Sequence, residues 1–151
     1  MSKPFFGPKS AERLATAHPD LQTVFNAVMK ESTKEEDFTI ICGLRNETAQ
    51  ERALWNHQSY VSYPKSFHNG SKDPNGKWDP KISDAIDAAP YPIEWPDKKK
   101  DTPYEYVRKM MRFYNLAMRV LRKAEELNIE IEWGGMFEGF FDGPHFQRVR
   151  K

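Results

Sequence analysis

Apolar positions recur at helical spacing in two stretches of the chain, with short β-branched runs between them. Ser10 to Ala17 reads as a short helix. Pro19 then suits the first position of a second helix, where Leu21, Val24, Phe25, Val28 and Met29 make one apolar stripe. The polar run Lys30 to Asp37 ends it. Phe38 to Leu44 is short, apolar and β-branched, and reads as a strand. Thr48-Ala49-Gln50-Glu51 fits a capping box and predicts a short helix to about Asn56. Tyr60 to Ser83 is rich in Pro, Gly, Asn, Asp, Ser and Lys and reads as loop. Asp84 to Ala89 is a further strand, after which Pro90, Pro92 and Pro96 interrupt regular structure.

Thr102-Pro103-Tyr104-Glu105 is a second capping box with Pro at the first helical position. It predicts a long helix to about Asn128, with Val107, Met110, Met111, Tyr114, Ala117, Met118, Leu121, Ala124 and Leu127 as its buried face. Ile129 to Trp133 is a strand, Gly134-Gly135 a turn and His145 to Val149 a last strand. Helices first, then strands mixed with one long helix, predict a single α+β domain with a small, mostly antiparallel sheet.

Composition narrows the function classes. The 151 residues suit one domain. The formal net charge is +1, without the basic excess of a nucleic-acid binder. Cys42 is the single cysteine, so no internal disulfide forms. No stretch approaches the ~18 apolar residues of a membrane span. The N-terminus lacks a signal-peptide core, which predicts synthesis in a cytosol and an export route supplied by something else.

Of the four histidines, His18 precedes a helix-initiating proline and His57 lies at a predicted helix end, where a protonated ring complements the helix dipole. Both read as structural. His68 and His145 sit in more polar settings, Ser66-Phe67-His68 and Asp142-Gly143-Pro144-His145. Two imidazoles and a carboxylate form a ligand set for catalytic zinc, with the fourth position left for water. A second carboxylate outside that set then serves as proton acceptor. Isolated His and Asp residues are, however, mostly surface or capping residues.

Three blocks in order, Ser66-Phe67-His68, Asp84-Ala85-Ile86-Asp87 before Ala-Pro, and Asp142-Gly143-Pro144-His145, resemble the motifs of the LAS-type zinc peptidases. That family includes D-alanyl-D-alanine carboxypeptidases and dipeptidases, and the L-alanyl-D-glutamate endopeptidases used as phage endolysins. The N-terminal half, with Ser10 to Thr16, Pro19 to Gln22 and Phe38-Thr39-Ile40 leading into Gly43-Leu44-Arg45, is similar to the endolysins. The resemblance implies one zinc ion on His68, Asp87 and His145, Asp142 as acid/base, and Arg45 as a substrate-binding or oxyanion-steadying group. It leaves Ser66 between a hydrogen bond to substrate or ligand and a role in the loop. Trp133 stands between the cleft border and packing.

Two departures from the family pattern affect Asp87. Residues 69–82 form an added segment that reads as an exposed insertion, and Ser83 stands where the family usually has Gly. Asp73, Asp79 and Asp84 are rival carboxylates. Asp87 is preferred because a short apolar strand can hold a ligand rigidly. The implied activity is cleavage of a bacterial peptidoglycan stem peptide by a monomer, made in the host cytoplasm and acting at the wall after release by a holin-type partner. The rivals are a carboxypeptidase or dipeptidase on the same fold, and a non-catalytic zinc-stabilised binder of wall peptides, which would need no Asp142.

Overall fold

The computed structural model describes residues 3–150. Four helices, α1 (Pro8–Leu14), α2 (Pro19–Glu31), α3 (Glu47–Trp55) and α4 (Pro103–Glu126), accompany six strands. These are β1 (Phe38–Cys42), β2 (Ser71–Lys72), β3 (Trp78–Asp79), β4 (Ala85–Pro90), β5 (Ile131–Trp133) and β6 (His145–Arg148). The main sheet runs β1-β4-β6-β5, every neighbouring pair antiparallel, and β2 and β3 form a separate hairpin. The expected α+β architecture is therefore present.

One face of the main sheet carries the core. Ile40, Ile86, Ala88, Trp133 and Phe146 project from it onto the α2 stripe Leu21, Val24, Phe25, Val28 and Met29, all buried as the spacing predicts. Helix α4 closes this layer against α2, β4 and β5. Phe25 meets Phe146 edge to face, at 5.4 Å between ring centroids. His18 caps α2, its Nδ1 accepting from the Asp20 amide at 3.0 Å. His57 adopts a left-handed conformation (φ 58°) just past α3. His18 keeps the structural place the sequence suggests, whereas His57, at the helix end as expected, also lines the cleft on the sheet's opposite face.

Three expectations need correction. The first is the cap of α3, which is Asn46, its Oδ1 accepting from the Ala49 amide at 2.9 Å. Asn caps as well as Thr, so the helix starts before Thr48. Glu51 is thereby free to accept from the Tyr63 amide instead, at 3.0 Å.

Helix α4 has the predicted Thr102 capping box, but only part of the expected face, Ala117 and Ala124 with Leu121 at its edge, is turned to the core. Phe113, Leu116, Ala117, Val120 and Ala124 face the core, whereas Val107, Met111, Met118 and Leu127 are exposed. The apolar arc of this helix is wider than the strip the core covers, so periodicity marks the charged face but not which part of the arc is buried. The bulkier Phe113–Leu116–Val120 stripe fills the space above β4 and β5.

The segment 69–82 is not exposed throughout. Asn69, Gly70 and Ser71 are buried, Trp78, Asp79 and Ile82 are half-buried, and the exposed residues are the hairpin tip, 72–77, with Pro80 and Lys81. Asp73 closes that tip by accepting from the Asn75 and Lys77 amides, and Trp78 folds back over Gly70.

Asp84, a rival ligand on sequence grounds, is fully buried and bound to Arg148 at 2.8 Å and Arg150 at 2.9 Å. Removing one member of a buried ion pair strands the other charges. Asp84→Ala is therefore expected to cost roughly 3 kcal/mol or more of stability while leaving metal binding intact. Thermal denaturation with a parallel metal assay checks this; lost metal at unchanged stability would make Asp84 a ligand.

Candidate metal centre

The opposite face of the sheet is the floor of a cleft of about 710 Å³. One bank is α3 with residues 56–66, and the other is residues 137–144 with Trp95. Tyr60 and Phe140 meet edge to face from the two banks, centroids 5.3 Å apart.

Register places the first two site residues. Asp87 on β4 lies directly opposite His145 on β6, so the two side chains leave the sheet on the same face. His68 reaches them from a 3-10 turn, Phe67–Asn69. Ser66 caps that turn, its Oγ accepting from the His68 amide at 3.2 Å, so its observed contact is the loop-structural one. Asp142 and His145 are joined across a tight turn, the His145 amide donating to the Asp142 carbonyl at 3.2 Å. Trp133 is packed and buried. Its indole N–H donates to the Gly143 carbonyl at 2.7 Å, which ties this turn to β5. A Cβ at Gly134 would collide with the Asp142 carbonyl, so the close approach of the two segments requires glycine there.

The donor atoms converge. His68 Nε2, Asp87 Oδ1 and His145 Nδ1 form a triangle with sides of 3.1, 3.1 and 3.3 Å. Ligand atoms on a tetrahedral zinc, each ~2.0–2.1 Å from it, stand roughly 3.3 Å apart. Both imidazoles are also set in the tautomer a metal needs. His68 Nδ1 donates to the Gly43 carbonyl at 2.8 Å, and His145 Nε2 to Gln147 Oε1 at 2.7 Å, leaving the inward nitrogens to face Asp87. Cys42, His68 and Asp87 also present donor atoms within 4.8 Å of one another, a group able to hold a metal ion.

The electrostatics match a cation site. Burial alone would lower the His68 pKa, but the Asp87 carboxylate against it pushes the value up to about 10. Burial alone would raise the Asp87 pKa, but His68 and His145 pull it well below the ordinary carboxylate range. A proton is thus held between donors that a metal cation would occupy in its place. Asp142 stands beside the triangle, Oδ2 4.0 Å from His145 Nδ1. Its own pKa is raised, first by burial and then by the Asp87 charge.

Arg45 lies on the other side, Nη2 3.8 Å from Asp87 Oδ2. It is held by Gln50, a fully buried hub that sequence inspection does not single out. Gln50 Oε1 accepts from Arg45 Nη1 at 3.0 Å and from Asn69 at 3.1 Å, while its amide nitrogen donates to Ser59 and to the Val61 carbonyl. Gln147 was also overlooked; its i+2 spacing from His145 on one strand was the available signal. Gln147→Leu is expected to weaken metal binding by ~10–100-fold without unfolding, as loss of such supporting partners does. Chelator competition measures this, and an unchanged affinity would show that His145 needs no partner on Nε2.

A family model described as phage L-alanyl-D-glutamate peptidase matches residues 3–149. Among solved structures, the L-Ala D-Glu endopeptidase ChiX of Serratia marcescens is similar, with 25% identity and a TM-score of 0.65. The alignment covers 96% of this chain and 90% of that one. A search of curated proteins finds no match. The family resemblance carried by the three sequence blocks is borne out by these findings.

Proposed function

Because the chain belongs to the phage L-alanyl-D-glutamate peptidase family, we propose that it cuts the L-alanyl-D-glutamate bond of peptidoglycan stem peptides, as a phage-type endolysin, with zinc held by His68, Asp87 and His145. It is a peptidoglycan hydrolase, and no helix among the described residues is long and apolar enough to cross a membrane. The observation that carries the metal assignment is the triangle of donor atoms on the cleft floor, with both imidazole tautomers already fixed.

When bound there, zinc supplies Lewis acidity toward the scissile carbonyl and the attacking water. The remaining work falls to side chains of the cleft. Asp142, beside His145 but outside the triangle, takes the proton of the attacking water on its carboxylate and returns it to the leaving amine of D-glutamate. Arg45, fixed by Gln50, directs a permanent charge and a planar fork of donors at the oxygen that becomes negative. The two aromatic banks, meeting at Tyr60 and Phe140, shield that oxygen from bulk water.

Digestion of purified peptidoglycan, with the new termini read by mass spectrometry, tests the reading. Peptides beginning with D-glutamate are expected, with L-alanine left on the glycan. Release of free D-alanine from otherwise intact stems would overturn the bond assignment and place the activity among the carboxypeptidases.

A further inference from the structure

Cys42 stands outside the ligand triangle, yet the sheet directs it there. Between Ile40 and Cys42 the pairing of β1 with β4 slips by one residue, a β-bulge at Ile41. Without it, Ile41 would face Asp87 and Cys42 would turn to the core side. With it, Cys42 lies directly opposite Asp87, and bulges of this kind commonly re-aim a side chain beside an active site. Since Asp87 is in turn opposite His145, Cys42, Asp87 and His145 form one row of donors across three adjacent strands. His68 joins Cys42 on the Asp87 side: its donor atom and those of Cys42 and Asp87 lie within 4.8 Å of one another, a group that does not include His145. The Cys42 thiol itself donates to the Gly43 carbonyl at 3.5 Å, so the sulfur must turn from that carbonyl to reach the metal. Arg45 Nη2 is 3.6 Å from the Cys42 sulfur and 3.8 Å from Asp87 Oδ2, so a permanent cation stands by to balance a thiolate. Cys42 lines the cleft, not the hydrophobic core.

We propose that Cys42 is a fourth protein donor to the metal, occupying in the free enzyme the coordination position that the reaction needs. The proposal rests on His68, Asp87 and His145 being the other three ligands. Three protein ligands leave a catalytic position open, whereas four close it. The free enzyme is therefore a resting form, and substrate entering the cleft displaces the sulfur. Formation of the resting form would be a ligand exchange without redox change: the thiol loses its proton to solvent, the sulfur takes the fourth position, and the water held there leaves to solvent. A thiolate among the donors also favours zinc over magnesium, calcium or manganese, which suit all-oxygen sites.

Cobalt(II) substituted for zinc gives the test a spectroscopic readout. The wild-type protein with one bound cobalt is expected to show a thiolate-to-cobalt charge-transfer band in the near ultraviolet. Cys42→Ser is expected to lose the band and to bind cobalt at least tenfold more weakly. One bound cobalt with no such band overturns the proposal while leaving the three-ligand set standing. Failure to bind cobalt at all overturns both. A second measurement needs no variant, because Cys42 is the chain's single thiol. Zinc is expected to slow its reaction with Ellman's reagent at least tenfold, and a rate indifferent to zinc overturns the proposal. Peptidoglycan digestion is read separately, so loss of the cysteine ligand and loss of the peptidase reading are distinguishable.

Discussion

His145→Ala, His68→Ala and Asp87→Ala are each expected to lose stoichiometric zinc and lytic activity together. The expectation follows from the geometry: the three donor atoms stand 3.1–3.3 Å apart, so on the proposed ligand set each would supply one bond to the same ion. Removing a supporting hydrogen bond to such a site costs ~10–100-fold in affinity, and removing a ligand costs more. The variants differ in what they leave behind. His68→Ala frees the Gly43 carbonyl and empties a buried position, so some loss of stability accompanies loss of metal. His145→Ala leaves Asp87 with His68 as a partner and is the cleaner test. Metal content by elemental analysis, beside clearing of a cell-wall suspension, measures both quantities. Full zinc occupancy in His145→Ala would sink the ligand assignment.

Asp142→Asn separates metal binding from proton transfer. The amide keeps the size of the carboxylate and a hydrogen-bonding oxygen but cannot accept the proton of the attacking water. Zinc content and folding are expected to stay as in the wild type, while the turnover rate falls by ~10²–10⁴, the usual worth of general acid–base catalysis. Because the Asp142 carboxylate lies 4.0 Å from His145 and outside the donor triangle, metal loss in this variant would mean that it acts as a ligand instead. A wild-type rate with zinc bound would remove it from the mechanism altogether.

What could be read in the sequence was local. The Ser66-Phe67-His68 and Asp142-Gly143-Pro144-His145 blocks each place a functional histidine by short-range turn geometry. The Thr102 capping box needs only four consecutive residues, and the α2 stripe has apolar positions on one side only, so its phase is unambiguous. What could not be read depended on distant pairing. The phase of α4 is set by what it covers. Gln50, Asn69 and Gln147 are ordinary polar residues until tertiary structure brings Arg45 and His145 to them. The bulge at Ile41 shifts register by one residue, and alternation along β1 does not reveal it. Asp84 lies just before β4 and Asp87 on it; their separate fates, a buried ion pair with arginines and a place in the donor triangle, follow from which residues β6 and its neighbours bring opposite.

Of the four strands in the main sheet, β4 and β6 are the inner pair, and they carry Asp87 and His145. Each is paired with a strand on both sides, the position from which a sheet is expected to open last. The two banks, residues 56–66 and 137–144, are loops tied to this scaffold at a few points: Gln50 holds Ser59 and Val61, Trp133 holds Gly143, and the Ala88 amide donates to the Pro144 carbonyl. Substitutions at bank positions that make none of these ties, such as Tyr60 and Phe140, are expected to change which stem peptide the cleft accepts while the donor geometry is kept. Asp142 sits on a bank without sharing that freedom, because the tight turn it opens leads straight into His145 on β6.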